Sequence, residues 1–387
     1  MQRSKKVVCL LGSTGFLGTT IVKRWHKSPS FRAKYEIRAI YRGEKSNWPK
    51  VFNRVFTEER KSMEEDEEES LINTQSYKGD LDKFAEFCRP ISDINNKDDL
   101  KRVIQGSNFV IHCAGSYPEK CEEDKDELER TNVQGLETVL EVCLEINEES
   151  GAPDVPRIER LIYTSDLSTI VDYDNFESFT EESPLIDLNS KLITEYTRSK
   201  IRCEKLLEHI GDEERAEALP VVILRPANMI GRFIVEKKFT SGEFMKKMLY
   251  GMFPGVPDIE IHLVHVDHVA DAHLCALDSR KVPANRAYCL YDGKIKSDYI
   301  SEYAKSCDWQ ENKRKKKYEG FHPSCLSISK LTCRLASIFV PEAKVILKKW
   351  GKKLEPNFAV SDRVFASCKV DSERAIIQMC DDIIESN

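Results

Sequence analysis

The chain sets short apolar runs between longer amphipathic stretches. "KVVCLL", "EIRAIY", "NFVIHCA", "RLIYTS" and "PVVILRP" are strand-length and rich in Val, Ile and Leu. Such runs suit a parallel sheet covered on both faces. "FLGTTIVKRWHK", "ELERTNVQGLETVLEVCLEIN" and "ITEYTRSKIRCEKLLEHI" lie between them and carry helical spacing. The repeated strand–helix–strand order predicts an α/β, Rossmann-type doubly wound parallel sheet. The alternation fades near residue 282. Residues 1–232 plus 260–281 are therefore expected to form the sheet domain, and 233–259 plus 282–387 a smaller C-terminal cap. Two charge runs break the pattern. The acidic "EERKSMEEDEEES", 58–70, predicts a solvated loop insertion, and the basic "NKRKKKYEG", 312–320, a surface loop.

Composition narrows the classes. With 387 residues and 41% hydrophobic residues, the chain can bury a sizeable core. A net charge of −6 argues against nucleic acid as a partner. Thirteen cysteines are scattered without a Cys-x-x-Cys pair, which suits reduced thiols and a cytoplasmic location. "MQRSKK" runs directly into strand and turn rather than into a cleavable leader. The longest apolar-rich stretch, "ISKLTCRLASIFVPEAKVIL", contains Lys330, Arg334, Pro341 and Glu342. It reads as an amphipathic cap helix plus a turn, so a membrane partner is not expected.

Chemistry enters with "GSTGFLG" after the first strand. Gly12 can make a tight turn, Gly15 lets backbone approach a pyrophosphate, and Gly18 allows close helix–strand packing. The backbone of Thr14, Gly15, Phe16 and Leu17 then presents a helix N-terminus to phosphate. The second strand ends in "AIYRGEK". Arg42, with Lys45 nearby, is suited to a ribose 2′-phosphate, which favours NADP(H) over NAD(H). "GDL", 79–81, is expected to end a third strand, with Asp80 accepting from the adenine amino group beside Leu81. Ala114 and Gly115 in "HCAG" are small enough for a cofactor to lie on backbone.

In "YTRSK", Tyr196 and Lys200 stand four residues apart in a helical pattern and so share a face. A phenol of pKa about 10 is a poor acid–base catalyst near neutrality, and an adjacent ammonium lowers that pKa. The residues "GSTGFLG", "GDL", "TNVQG", "YTRSKIRCEK", "LRPANMIG" and "LVHVDHVADAH" together resemble the extended short-chain dehydrogenase/reductases. "MLYGMFPGVPDIEIHLVHVDHVADAHLCAL" and "KVDSERAII" resemble the branch of dihydroflavonol and cinnamoyl-CoA reductases. The resemblance implies an NADP-binding Rossmann domain, a substrate-binding cap, and hydride transfer between NADP(H) and a small carbonyl or alcohol. It places Tyr196 as acid–base residue, Lys200 on the nicotinamide ribose and Pro226 beside the nicotinamide. It also implies a possible homodimer.

One catalytic position departs from the pattern. "RLIYTSDLSTI" has Asp166 where the family places a Ser that donates to the substrate carbonyl. Three readings stand open. Ser165, or Ser168 if the turn curls back, replaces the missing donor; Asp166 is protonated and donates; or Asp166 is ionised and opposes the chemistry. The third makes the protein a weak enzyme or an NADP-binding regulator. An NAD-dependent 3β-hydroxysteroid oxidation is a further alternative, against Arg42. The histidines of "EIHLVHVDHVADAH" are expected to cap and pack rather than bind metal.

Overall fold

The computed structural model describes residues 4–43, 50–61, 70–117, 125–150, 156–172, 178–191, 193–210, 219–232, 240–252, 255–314, 319–323, 326–338, 341–370 and 374–385. The strands are β1 (Lys6–Leu11), β2 (Tyr35–Arg42), β3 (Arg89–Ile91), β4 (Phe109–His112), β5 (Arg160–Thr164), β6 (Ser178–Thr180), β7 (Val221–Pro226), β8 (Asn228–Ile230), β9 (Glu260–His265), β10 (Arg286–Leu290), β11 (Gly293–Lys296) and β12 (Glu355–Asn357). Seven form one parallel sheet in the order β10-β7-β5-β4-β1-β2-β3. Its central strands are buried on both faces: every residue of β4, β5 and β7 is buried. That double burial is why these runs are apolar without alternation.

Strand order reverses beside β1. From there the chain builds outward through β2 and β3 on one side, and through β4, β5, β7 and β10 on the other. In such sheets ligands bind outside the carboxyl ends of the strands at the reversal, here between β1 and β4. A three-stranded sheet, β11-β9-β8, and a two-stranded one, β12-β6, stand apart from the central sheet. The helix Ala375–Glu385 packs on the helix Thr240–Leu249 and on β8.

Four expectations need correction. Gly79-Asp80-Leu81 does not end a strand; it lies inside the helix Ser70–Phe87, with Asp80 3.9 Å from Arg32. The third strand is instead Arg89-Pro90-Ile91, on the sheet edge, where a proline is tolerated. Second, β10 pairs with β7, so 286–290 belong to the central sheet and not to the cap. Third, residues 58–61 of the acidic run continue the helix Lys50–Lys61; 62–69 lie outside the described residues. Fourth, the amphipathic helix expected in "ISKLTCRLASIFVPEAKVIL", Lys330–Ala336, does not bury its apolar face: Leu331, Leu335 and Ile338 are exposed, while Cys333 is buried. No helix of the described residues is long and apolar enough to cross a membrane.

Candidate active site

The glycine loop closes the end of β1. Gly12 has φ +89, and a Cβ there would lie 2.5 Å from the amide nitrogen of Ala114. A Cβ on Gly18 would lie 2.2 Å from the carbonyl oxygen of Gly12. The loop thus presses against the end of β4 on one side and the helix Phe16–Lys27 on the other. Gly15 is that helix's N-cap, is exposed, and donates its N–H to Gly12 O at 3.1 Å. No side chain caps this helix. Phe16 and Leu17 are buried beneath it, and Thr14 is half-buried. Ser13, buried, ties the loop to β2 by donating to Ile40 O at 2.7 Å. Arg42 stands exposed at the end of β2; Lys45 lies outside the described residues.

Ala114 and Gly115 follow β4. A Cβ on Gly115 would come 3.2 Å from Asn132 Oδ1 and 3.9 Å from Lys200 Nζ. Asn132 was singled out by sequence only within "TNVQG". It sits in a π-helical turn, Glu129–Gln134, ahead of the helix Gly135–Glu149. Such turns release backbone groups and occur often at functional sites. Here Asn132 O accepts from the Cys203 thiol at 3.3 Å. The Asn132 side chain accepts from Ser116 N at 2.7 Å and donates to Ser116 O and to Ser199 Oγ at 3.1 and 3.0 Å. It clamps the loop after β4 to the helix that carries Tyr196.

That helix, Glu195–Ile210, places Tyr196, Lys200 and Glu204 on one stripe. Lys200 is buried and donates to Thr164 O at 2.9 Å and to Tyr163 Oη at 3.3 Å. Its Nζ lies 5.9 Å from the centroid of the Tyr196 ring. Burial holds the Lys200 ammonium below its usual pKa. Tyr196 is half-buried, packs against Tyr117 with centroids 4.7 Å apart, and donates its hydroxyl to Asp166 Oδ2 at 3.4 Å. Burial first, and the Asp166 carboxylate second, push the Tyr196 phenol well above the usual tyrosine range. The expectation that Lys200 dominates and lowers this pKa does not hold, because the ammonium bonds to Thr164 and Tyr163 instead.

The turn after β5 separates the three hydroxyl and carboxyl candidates. Ser165 is buried and donates to Glu204 Oε1, on the side of the core. Glu204 also accepts from Thr169 and is forked by Arg225, with Nη2 at 2.6 Å. Ser165 is therefore part of a buried polar network rather than a free donor. Asp166 has extended backbone and caps the short turn Leu167–Thr169, its Oδ1 accepting from Ser168 N at 2.8 Å. Ser168 Oγ lies 3.1 Å from Thr197 Oγ1. Pro226 ends β7, buried beside β10.

The histidines after β9 have partners of their own. His265 Nδ1 accepts from Asp267 N at 3.0 Å, and His268 Nδ1 lies 2.6 Å from Asp292 Oδ1. Beside the cleft, His112 at the end of β4 is buried and its Nδ1 has no hydrogen-bond partner. Burial, with the nearby Lys200 charge, lowers its pKa to about 3.

The sequence of residues 8–290 matches the NAD dependent epimerase/dehydratase family. The chain belongs to that family. It is similar to vestitone reductase of Medicago sativa, 25% identical over 294 residues that cover 75% of this chain and 78% of that protein. It is also similar to anthocyanidin reductase of Arabidopsis thaliana, 22% identical over 312 residues, 75% of this chain and 77% of that one. The structure of yeast methylglyoxal/isovaleraldehyde reductase Gre2 complexed with NADPH superposes with a TM-score of 0.67 over 98% of both chains, at 16% identity.

Proposed function

We propose that this protein is an NADPH-dependent oxidoreductase that reduces a small or medium aldehyde or ketone to an alcohol. One observation carries the reading. Gly12 abuts Ala114, Gly115 abuts Lys200, and Lys200 lies under Tyr196, so the glycine loop and the Tyr–Lys pair meet around the carboxyl end of β4, at the switch point. The residues fit a dinucleotide. The uncapped helix end and Gly15 suit a diphosphate, Ala114 and Gly115 give a side-chain-free floor, and Arg42 suits a 2′-phosphate. The relatives named reductases, and the NADPH named in the Gre2 complex, support this choice.

The bound dinucleotide supplies hydride. The chain's own residues supply orientation and the proton. Tyr196, held protonated by burial and by Asp166, is a proton donor at neutral pH, which suits carbonyl reduction. As the carbonyl oxygen gains charge, Tyr196 passes its phenolic proton to it. Lys200, fixed by Thr164 O beneath the Tyr196 ring, holds the nicotinamide ribose. Asp93, in "SDI" at the end of β3, takes the place expected of Asp80; its carboxylate accepts from Asn95 N at 3.0 Å. The substrate contacts the cap formed by the helices beyond β8.

A second reading has its own observation. Asp166 accepts from Ser168 N with one oxygen and from Tyr196 with the other, the pattern of an ionised carboxylate. It then competes with substrate for the Tyr196 hydroxyl, and turnover is slow. One assay separates the two: purified chain with NADPH and a panel of aldehydes and ketones, following nicotinamide absorbance, with Tyr196→Phe and Asp166→Ser beside it. NADPH oxidation abolished in Tyr196→Phe supports the reductase. Oxidation that persists in Tyr196→Phe refutes it, and binding without turnover until Asp166→Ser restores it supports the regulator.

A further inference from the structure

Ten cysteines among the described residues are free thiols. Two of them touch. Cys275 Sγ and Cys368 Sγ lie 3.4 Å apart although 93 positions separate them in the chain. Cys275 ends the helix Val266–Cys275, which packs on the helix of the glycine loop. Cys368 closes the short turn Ala366–Cys368, which leads toward the C-terminal helix Ala375–Glu385. The pair therefore joins the central α/β layers to the segment that packs on β8. Neither thiol belongs to the cleft of Tyr196.

We propose that Cys275 and Cys368 are an oxidation site that closes reversibly to a disulfide and tethers the C-terminal segment to the sheet domain. A disulfide needs its sulfurs about 2.05 Å apart, so they must close by a little over 1 Å, within reach of small side-chain rotations. The two thiols are unequal. Cys275 is half-buried, and Cys368 is 2% exposed, so a solute reaches Cys275 first. The Cys368 thiol as donor favours the Cys275 thiolate, and Lys281 adds to this, while burial and the carboxylates of Asp271 and Asp278 oppose it. The same contact pushes the Cys368 thiol up.

The oxidant is a hydroperoxide. The Cys275 thiolate attacks its terminal oxygen: an S–O bond forms, the O–O bond breaks, and the leaving oxygen departs as water or alcohol after taking a proton. Cys368 then attacks the sulfur of the sulfenic acid. The S–S bond forms, the S–O bond breaks, and water leaves with the Cys368 proton. Two thiols lose two electrons and the peroxide gains them.

The test uses the full chain and hydrogen peroxide in small molar excess, followed by alkylation and a non-reducing tryptic digest read by mass spectrometry. The expected product is a Cys275–Cys368 cross-linked peptide lighter by two hydrogens, lost on dithiothreitol treatment. In Cys368→Ser, a dimedone adduct on Cys275 is expected in its place. Alkylated, unlinked Cys275 and Cys368 in the wild-type chain, at peroxide doses that have oxidised its other cysteines, overturn the proposal. So does a cross-link that joins Cys275 elsewhere. The wild-type readout stands whether or not the variant folds, and it is independent of any NADPH assay.

Discussion

Glu204 shows how much of the site rests on one side chain. It is fully buried, yet it accepts from Ser165, Thr169 and the Arg225 guanidinium at once. Glu204→Gln keeps the shape but leaves the buried Arg225 charge without its counter-ion. We expect a loss of about 3–5 kcal/mol in urea unfolding, and a Glu204→Met/Arg225→Met pair to recover most of it. A single-variant loss under about 1 kcal/mol contradicts this. Asp166 is the other decisive residue. Its charge raises the Tyr196 pKa, so removing it lowers that pKa. Reduction needs the protonated phenol and is lost as pH rises through its pKa. In Asp166→Asn the alkaline limb of kcat/KM therefore moves to lower pH, which a pH–rate profile reads directly. Asp166→Ser adds a neutral donor at the same position, and kcat/KM is expected to rise by roughly 10²-fold at pH 7.

At the scale of elements, the glycine loop is fixed by two close approaches rather than by its φ angles alone. A methyl group on Gly18 collides with the Gly12 carbonyl, a rigid backbone atom. Gly18→Ala is expected to weaken NADPH binding by at least about tenfold, or 1.4 kcal/mol, in a nucleotide fluorescence titration. Far-UV circular dichroism should be unchanged; an unchanged Kd disproves the packing role. This loop was legible in sequence because its geometry is local: strand, three glycines, helix. So were β1, β4, β5 and β7, since strands covered on both faces are largely apolar, and β2 through its buried Ile37, Ala39, Ile40 and Tyr41. β3 was not. It is three residues long and carries Arg89 and Pro90, which only an edge position tolerates. The glycine and aspartate of "GDL" imitated its end from inside a helix. The fate of Ser165 was half legible. Strand alternation puts Ser165 and Asp166 on opposite sides, but the partner Glu204 appears only when the helix Glu195–Ile210 docks. The π turn around Asn132 was hidden for the same reason: its cause is the loop it clamps, not its own residues.

Among the described residues burial lowers the pKa of five histidines, His26, His112, His262, His265 and His273, and the two shifted furthest, His112 and His273, dominate the response to acid. His112 lies on β4 and His273 on the helix Val266–Cys275. His273 Nδ1 lies 2.7 Å from Val269 O, which can only accept, so that nitrogen bears the proton and Nε2 accepts from Thr164 Oγ1 at 2.8 Å. A second proton would break that bond. Burial lowers His273 to about 4 and His112 to about 3. In the unfolded chain both titrate near 6.5. Below that value the unfolded state takes up protons that the folded state refuses, so stability is full above about pH 6.5 and is lost as pH falls. Both histidines act down to about pH 4, and His112 alone from there to about 3. The two protons of this pair contribute up to about 2.7 kcal/mol per pH unit, and one gives half of that, beside what His26, His262 and His265 add. Urea unfolding of the wild-type chain between pH 7.5 and 4.5 should show a steep loss, and His112→Leu should lower the slope by up to about 1.4 kcal/mol per pH unit. A His112→Leu chain with the wild-type slope would show that the imidazole is protonated without penalty, and that the cleft floor is open to water.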